Sequence, residues 1–210
     1  ADRHNGWFVI VDNTLSALQK TASAHMRGLN KLVTIGITGS NGKTTTKELI
    51  GSVLSTQYNT QVNEGNLNSE IGLCLAALRV KPEHELAVFE MGMNRKGEMD
   101  VLAEIVRPDY AVITNIGSAH IGMIGSKENI AAEKKRIFSY FDGSQTAFIY
   151  EKEPFFDYLS ENVRGSVIPY GPESTEGFET FTEKGLNGSL LRLYGTEIHI
   201  SLIGKHNLIN

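Results

Sequence analysis

The sequence predicts an α/β protein: a mostly parallel sheet of the phosphate-loop type, covered by helices on both faces, with antiparallel strands added near the C-terminal end. Three observations lead there. Apolar strand-like runs alternate with helix-spaced segments from residue 32 to residue 170. The first of these runs leads through Gly39-Ser40-Asn41-Gly42-Lys43-Thr44-Thr45 into a helical segment. From about residue 172 the segments become short and β-rich, with Asn187-Gly188 and Gly195 as turns.

The elements follow in order. Residues 7–11 read as a short apolar strand. Asp12-Asn13-Thr14 caps a helix with Leu15, Leu18 and Ala22 on one face, closed by Gly28-Leu29-Asn30. This opening stretch reads as a connector from a preceding domain. Leu32–Gly39 alternates like a buried strand, and Thr46–Leu54 has apolar residues at helical spacing. Tyr58–Val62 is a second strand, Ile71–Leu78 a helix, and Leu86–Phe89 a continuous apolar strand ending at Glu90-Met91-Gly92. Met99, Leu102, Ala103 and Val106 mark a helix stopped before Pro108. Strand Tyr110–Ile113 ends at Thr114-Asn115. A helix over 127–141, strand Thr146–Tyr150, helix Pro154–Asn162 and strand 166–170 complete the alternation. Phe178–Thr182, Leu190–Tyr194 and Ile198–Leu202 read as antiparallel additions at the sheet edge.

Bulk properties narrow the function. A length of 210 residues, 40% of them hydrophobic and 21% charged, suits one sizeable core with a small appendage. The formal net charge of −4 argues against a general nucleic-acid or membrane-surface binder. Cys74 stands alone, which fits a reducing cytoplasm, and no apolar run is long enough for membrane insertion. The chain starts Ala1-Asp2-Arg3 without Met and stops just after Gly204-Lys205-His206-Asn207, which reads as the opening of a helix. It is therefore expected to be a piece of a longer protein.

Strand, glycine loop, Gly-Lys-Thr and helix together make a phosphate cradle. Backbone N–H groups point inward and the helix N-terminus adds partial positive charge. The loop is a variant: Ile37 stands where the strict pattern has its first glycine, and Gly36, Gly39 and Gly42 supply the glycines. Lys43 is expected to reach the terminal phosphates, and Thr44 to offer its hydroxyl to Mg²⁺. Ligands of such sheets bind beyond the carboxyl ends of the strands, which gathers the loop, Glu90–Met93 and Thr114–His120 on one rim. Glu90 is either a solvent-facing acid at a strand exit or a carboxylate that organises Mg²⁺. His120 is either polar surface or a ligand on that rim. Lys134 falls on the stripe of Ile130, Ile137 and Phe138. Either its stem covers the core while its head reaches water, or desolvation favours a neutral amine that can add carbon dioxide to give a carbamate, an anionic metal ligand. The amide-dense Asn63-Glu64-Gly65-Asn66-Leu67-Asn68-Ser69-Glu70 is either a polar loop or a contact for a polar substrate.

Five segments, taken together and in order, resemble the Mur ligases, which build the peptide of peptidoglycan. They are Thr38–Thr45, Glu90, Asn115-Ile116-Gly117-Ser118-Ala119-His120, the helix with Ala132-Glu133-Lys134, and Gly204-Lys205-His206-Asn207. Within the family, Gly65–Gly72 and Glu90–Met99 are most like the branch that adds D-alanyl-D-alanine to UDP-N-acetylmuramoyl-tripeptide. The resemblance implies a cytoplasmic, ATP-dependent ligase working through an acyl phosphate. Residues 1–29 would end an N-terminal substrate domain and 30–210 form the central ATP domain, with a C-terminal closing domain not included. By position, Gly39, Ser40, Asn41, Gly42, Lys43, Thr44 and Thr45 would hold ATP phosphates, and Asn207 and Asn210 would approach the adenine. Thr44 and Glu90 would bind one Mg²⁺, and His120 and carbamylated Lys134 a second. Lys43, His120 and Lys134 would be the catalytic residues, and Asn66, Asn68, Thr114 and Asn115 would lie against the muramyl peptide. Lys135-Arg136 stands where many members carry Gly-Glu, and Cys74 where proline is common. A monomer is expected, inactive as this isolated piece, with neither nucleic acid nor membrane as partner. Folylpolyglutamate synthases share the loop and the carbamate chemistry, but the amide-rich 63–70 segment argues for the muramyl side. A nucleotide-dependent switch or binding module is the other alternative, although the chain has no Asn-Lys-x-Asp guanine motif.

Overall fold

The computed structural model describes residues 9–209. Six strands form one parallel sheet: β1 (Val33–Thr38), β2 (Thr60–Val62), β3 (Leu86–Glu90), β4 (Tyr110–Ile113), β5 (Thr146–Tyr150) and β6 (Ser166–Tyr170). Their spatial order is β2-β3-β1-β4-β5-β6. The chain runs outward from β1 on one side through β3 to β2, and on the other through β4 to β6. β1 therefore sits at the switch point, where the crevice of a parallel sheet opens.

The main core lies on one face, under α1 (Thr14–Arg27), α3 (Gly72–Ala77), α4 (Glu98–Val106), α6 (Lys127–Lys135) and α7 (Phe156–Ser160). It is dense in large apolar side chains such as Phe89, Met99, Leu102, Ile113 and Ile130, all fully buried. A smaller core of Ile35, Ile37, Val88 and Val112 lies on the other face, with Ile50 and Leu54 of α2 (Lys43–Leu54) packed against it. The strands are apolar on both faces because helices meet both.

Local chemistry sets the ends of the elements. Asn13 caps α1 by accepting from Ser16 N at 2.8 Å, and Ser126 caps α6 by accepting from Asn129 N at 3.2 Å. α4 stops at Arg107, in the left-handed region at φ 46°, because Pro108 cannot continue a helix. The Arg107 guanidinium then covers the Tyr140 ring at 4.8 Å.

Some expectations are corrected. Of the strand expected over 7–11, Trp7 and Phe8 lie outside the described residues, and 9–11 form no strand. The helix expected to begin at Thr46 begins at Lys43, because Gly42 takes the left-handed conformation (φ 82°) and starts the helix at once. The helix expected over 127–141 is α6 to Lys135, followed by a 3₁₀ turn over Arg136–Phe138. Arg136 and Ser139 both bond the carboxylate of Asp100, at 2.6 and 3.1 Å, which draws this last turn sideways. Ile137, Phe138 and Phe141 still reach the core.

The C-terminal strands β7 (Phe178–Glu183), β8 (Ser189–Leu193) and β9 (Thr196–Ile200) are antiparallel, as expected, but do not extend the main sheet. They form a separate sheet of order β7-β8-β9. Pro172 and the turn up to Gly177 break the chain away from β6 first, so β7 never pairs with that edge.

Candidate active site at the rim of the sheet

The carboxyl ends of β1, β3 and β4 bring the loop, Glu90 and the Thr114–His120 segment to one rim. Three neighbours hold the loop in shape. Asn115 O accepts from Ser40 N at 2.9 Å, Asn115 Oδ1 accepts from Asn41 N, and Asn115 Nδ2 donates to Asn41 O, each of these two at 3.0 Å. Thr114 Oγ1 donates to Asn41 O at 2.6 Å, and Ser40 Oγ accepts from Gly117 N at 2.8 Å. Thr114 and Asn115, expected against a peptide, thus bond the phosphate loop itself. Gly39 is required here: at φ 155° a Cβ would lie 1.8 Å from Thr114 Oγ1 and 3.2 Å from Asn115 N.

Lys43 opens α2 and turns back over the loop. Its Nζ donates to Gly39 O at 2.9 Å and to Ser40 O at 3.4 Å. Lys134 reaches the same carbonyl from α6, Nζ to Gly39 O at 2.9 Å. Two lysine head groups thus converge on one acceptor beside the cradle. Lys134 is 2% exposed, so its head does not reach water. Burial first, and then the charge of Lys43, pull its pKa down to about 7, against the opposing pull of Glu133. Burial also lowers the pKa of Lys43, against the attraction of Glu90.

Glu90 is buried at the end of β3, and each oxygen has a partner. Oε2 accepts from Thr44 Oγ1 at 2.7 Å and Oε1 from Asn68 Nδ2 at 2.6 Å. The hydroxyl and carboxylate expected to share a cation are therefore already adjacent. Asn66 is exposed. His120 is also exposed, in the left-handed region (φ 64°) at the start of the four-residue helix α5 (Ile121–Ile124), and makes no hydrogen bond to Glu90 or Lys134. Thr45 lies in the first turn of α2. Asn207 donates to Ile203 O at 2.9 Å and lines a cavity of about 230 Å³ between Leu49 of α2, Tyr170 and the inner face of the small sheet. Asn210 lies outside the described residues.

Several residues of the site were missed by the sequence reading. Glu133 Oε1 accepts from Met99 N at 3.0 Å, tying the start of α4 to the helix that carries Lys134. Glu153 Oε2 accepts from Ile116 N at 3.0 Å and steadies the His120 segment from below. Tyr170 reaches the carbonyls of Ile113 and Thr114, and burial raises its pKa. Lys47 is fully buried and donates to Asn63 O at 2.7 Å. Only Lys47 left a signal in the sequence: with Gly51 and Leu54 it falls on one helical stripe, as Lys134 does with Ile130 and Ile137.

The donor set is one of hard oxygens. Among the described residues no group of three or more His, Cys, Asp or Glu could hold a metal alone. One carboxylate and one hydroxyl beside a phosphate cradle suit Mg²⁺, which keeps waters and takes phosphate oxygens as its other ligands. A neutral amine at Lys134 suits addition of carbon dioxide.

Comparison with known proteins places the family and the fold. Residues 37–210 match the Mur ligase middle domain. The UDP-N-acetylmuramoyl-tripeptide–D-alanyl-D-alanine ligase of Treponema pallidum (strain Nichols) is 43% identical over 203 residues, covering 96% of this chain and 44% of that protein. A crystal structure of MurF from Acinetobacter baumannii superposes with a TM-score of 0.90 at 29% identity, covering 96% of this chain and 45% of that one. MurF from Thermotoga maritima in complex with ADP has a TM-score of 0.83 at 25% identity, covering 100% of this chain and 50% of that one. Escherichia coli FolC, at 17% identity and a TM-score of 0.63, shares the fold alone. The chain spans about half the length or less of these proteins.

Proposed function

Because the chain belongs to the Mur ligase family, we propose that it is the ATP-binding part of a UDP-N-acetylmuramoyl-tripeptide–D-alanyl-D-alanine ligase. Residues 30–210 would be its central domain and 1–29 the end of a preceding substrate domain, with a cytoplasmic, monomeric protein as the setting. One observation carries the reading: Gly39 O receives both Lys43 and Lys134, beside a Thr44–Glu90 pair poised for a cation.

In the proposed reaction a carboxylate oxygen of the tripeptide attacks the γ-phosphorus of ATP, and ADP leaves. The amine of D-alanyl-D-alanine then attacks the acyl carbon and phosphate departs, leaving an amide. Two anions must meet, so the residues supply positive charge and fixed geometry. The loop amides over 39–45 face the phosphates. Lys43 swings from Gly39 O to the β- and γ-phosphate oxygens. Thr44 and Glu90 would hold one Mg²⁺, and His120 with a Lys134 carbamate a second. Ions held there would supply charge neutralisation at the transferring phosphoryl group. Asn115 and Thr114 keep the loop open by bonding Asn41. By the family resemblance, Asn66 and Asn68 would meet the muramyl peptide and Asn207 the adenine.

Phosphate release from ATP, dependent on both UDP-N-acetylmuramoyl-tripeptide and D-alanyl-D-alanine, tests the reading in the enzyme that carries this chain. Lys43→Ala is expected to lower kcat by at least about 100-fold, the scale of a lost preorganised charge. Near-normal turnover, or release driven by a folate substrate and glutamate, would overturn it.

A further inference from the structure

Lys47 plays no part in the scheme above, yet its side chain is fully buried. Its Nζ donates to Asn63 O at 2.7 Å and Gly65 O at 3.5 Å, and pairs with Glu48 Oε1 at 2.9 Å. Burying an ammonium is expensive unless its donors are satisfied, and here all three directions are. An apolar residue would cover the same core without that cost.

What the lysine grips is the amide-rich loop. Asn63, 1% exposed, accepts from Glu90 N through Oδ1 at 2.8 Å and donates from Nδ2 to Leu67 O at 2.8 Å. The chain then turns so that Asn68 O accepts from Gly92 N at 2.9 Å. Asn68 Nδ2 ends on Glu90 Oε1 at 2.6 Å. One turn earlier on α2 than Lys47, Thr44 holds the other carboxylate oxygen. The helix thus reaches Glu90 twice: directly through Thr44, and through Lys47, the loop and Asn68.

We infer that Lys47 is a positioning residue, which fixes the 63–68 loop so that Asn68 aims the Glu90 carboxylate at a Mg²⁺ bound with nucleotide. This rests on the nucleotide and metal reading of the rim and adds to it a residue that touches neither ligand. When Thr44 Oγ1 turns to a cation, Asn68 remains as the partner that keeps the carboxylate from swinging away.

Two measurements on the 210-residue chain test it. Amide hydrogen exchange without ligand is expected to quicken at least about tenfold over 65–68 in Lys47→Met, while α2 exchanges as before. Calorimetric titration with ADP, with and without MgCl₂, is expected to show the Mg²⁺-dependent gain in affinity cut about tenfold in Lys47→Met and in Asn68→Ala. Affinity for ADP alone should stay unchanged. The double variant should lose no more than either single one, because both act through one connection. Lys47→Gln, whose shorter side chain cannot span Asn63 O and Gly65 O as the lysine does, replaces Lys47→Met in the same cycle if the latter fails to fold, with losses in the same direction expected. Unchanged loop exchange, an intact Mg²⁺ gain, or losses that multiply would each overturn the inference. Wild-type protein that binds ADP without any Mg²⁺ gain would defeat it and leave the phosphate cradle standing. Wild-type protein that binds no ADP would defeat the cradle, and this inference with it.

Discussion

Replacing Lys134 by Met should stabilise the protein and remove the rise in stability with pH that the lysine contributes. The lysine is 2% exposed and its pKa falls from 10.5 to about 7. Between those two values the unfolded chain binds the proton and the folded chain does not. The contribution of Lys134 to stability therefore rises with pH through this window and is flat below it, where both states are protonated. The shift from 10.5 to about 7 makes the charged form cost ~5 kcal/mol at low pH, and raising the pH from 7 to 9 removes ~2 kcal/mol of that. Met has the volume without the charge, so it escapes the whole cost. Urea melts of both proteins in carbon dioxide-free buffer, from pH 6 to pH 9, isolate the effect, because groups not coupled to Lys134 cancel in the difference. Lys134→Met is expected to be the more stable protein at pH 7, with the gap closing by ~2 kcal/mol by pH 9. A gap that does not change with pH would refute the reasoning. Bicarbonate should then stabilise only the wild type, by turning the amine into an anion beside Lys43.

Other substitutions separate structural from catalytic effects. Gly39→Ala drives a Cβ into Thr114 Oγ1, so thermal melts should show a loss of at least ~2 kcal/mol, and calorimetry the loss of ADP binding. Glu133→Gln keeps the shape but weakens the acceptor for Met99 N; denaturant melts should register ~1 kcal/mol, and Glu133→Ala ~2 kcal/mol. Arg136 pairs with Asp100 while about half exposed, so Arg136→Ala should cost less than ~1 kcal/mol and leave ligation within about twofold of wild type.

The alternation of apolar strands with helix-spaced segments was enough to place all six strands of the main sheet and the rim where Lys43, Glu90 and Lys134 gather. Periodicity reads well where burial is strong, as for Ile130 and Ile137 around Lys134. It failed where a side chain from elsewhere set the ending. Asp100 tightens the turn after Lys135, and nothing within 127–141 announces it. Pairing of the last three strands with each other rather than with β6 depends on a three-dimensional path that local propensity does not encode. The electrostatic partners of Lys134 were equally out of reach: Gly39 O lies 95 positions away in the chain. Nothing in the sequence marks Glu133 or Glu153 as a buried acceptor, since only tertiary contact brings a backbone N–H to each.

The central claim is that the rim at β1, β3 and β4 holds a nucleotide and its metal. A crystal structure of the chain with ADP and Mg²⁺ tests it most directly. The account predicts the β-phosphate within hydrogen-bonding distance of the amides over 41–45, Lys43 Nζ moved off Gly39 O, and a cation within reach of Thr44 Oγ1 and Glu90. Nucleotide bound elsewhere, with Lys43 still on Gly39 O and the Thr44–Glu90 hydrogen bond intact, would contradict it.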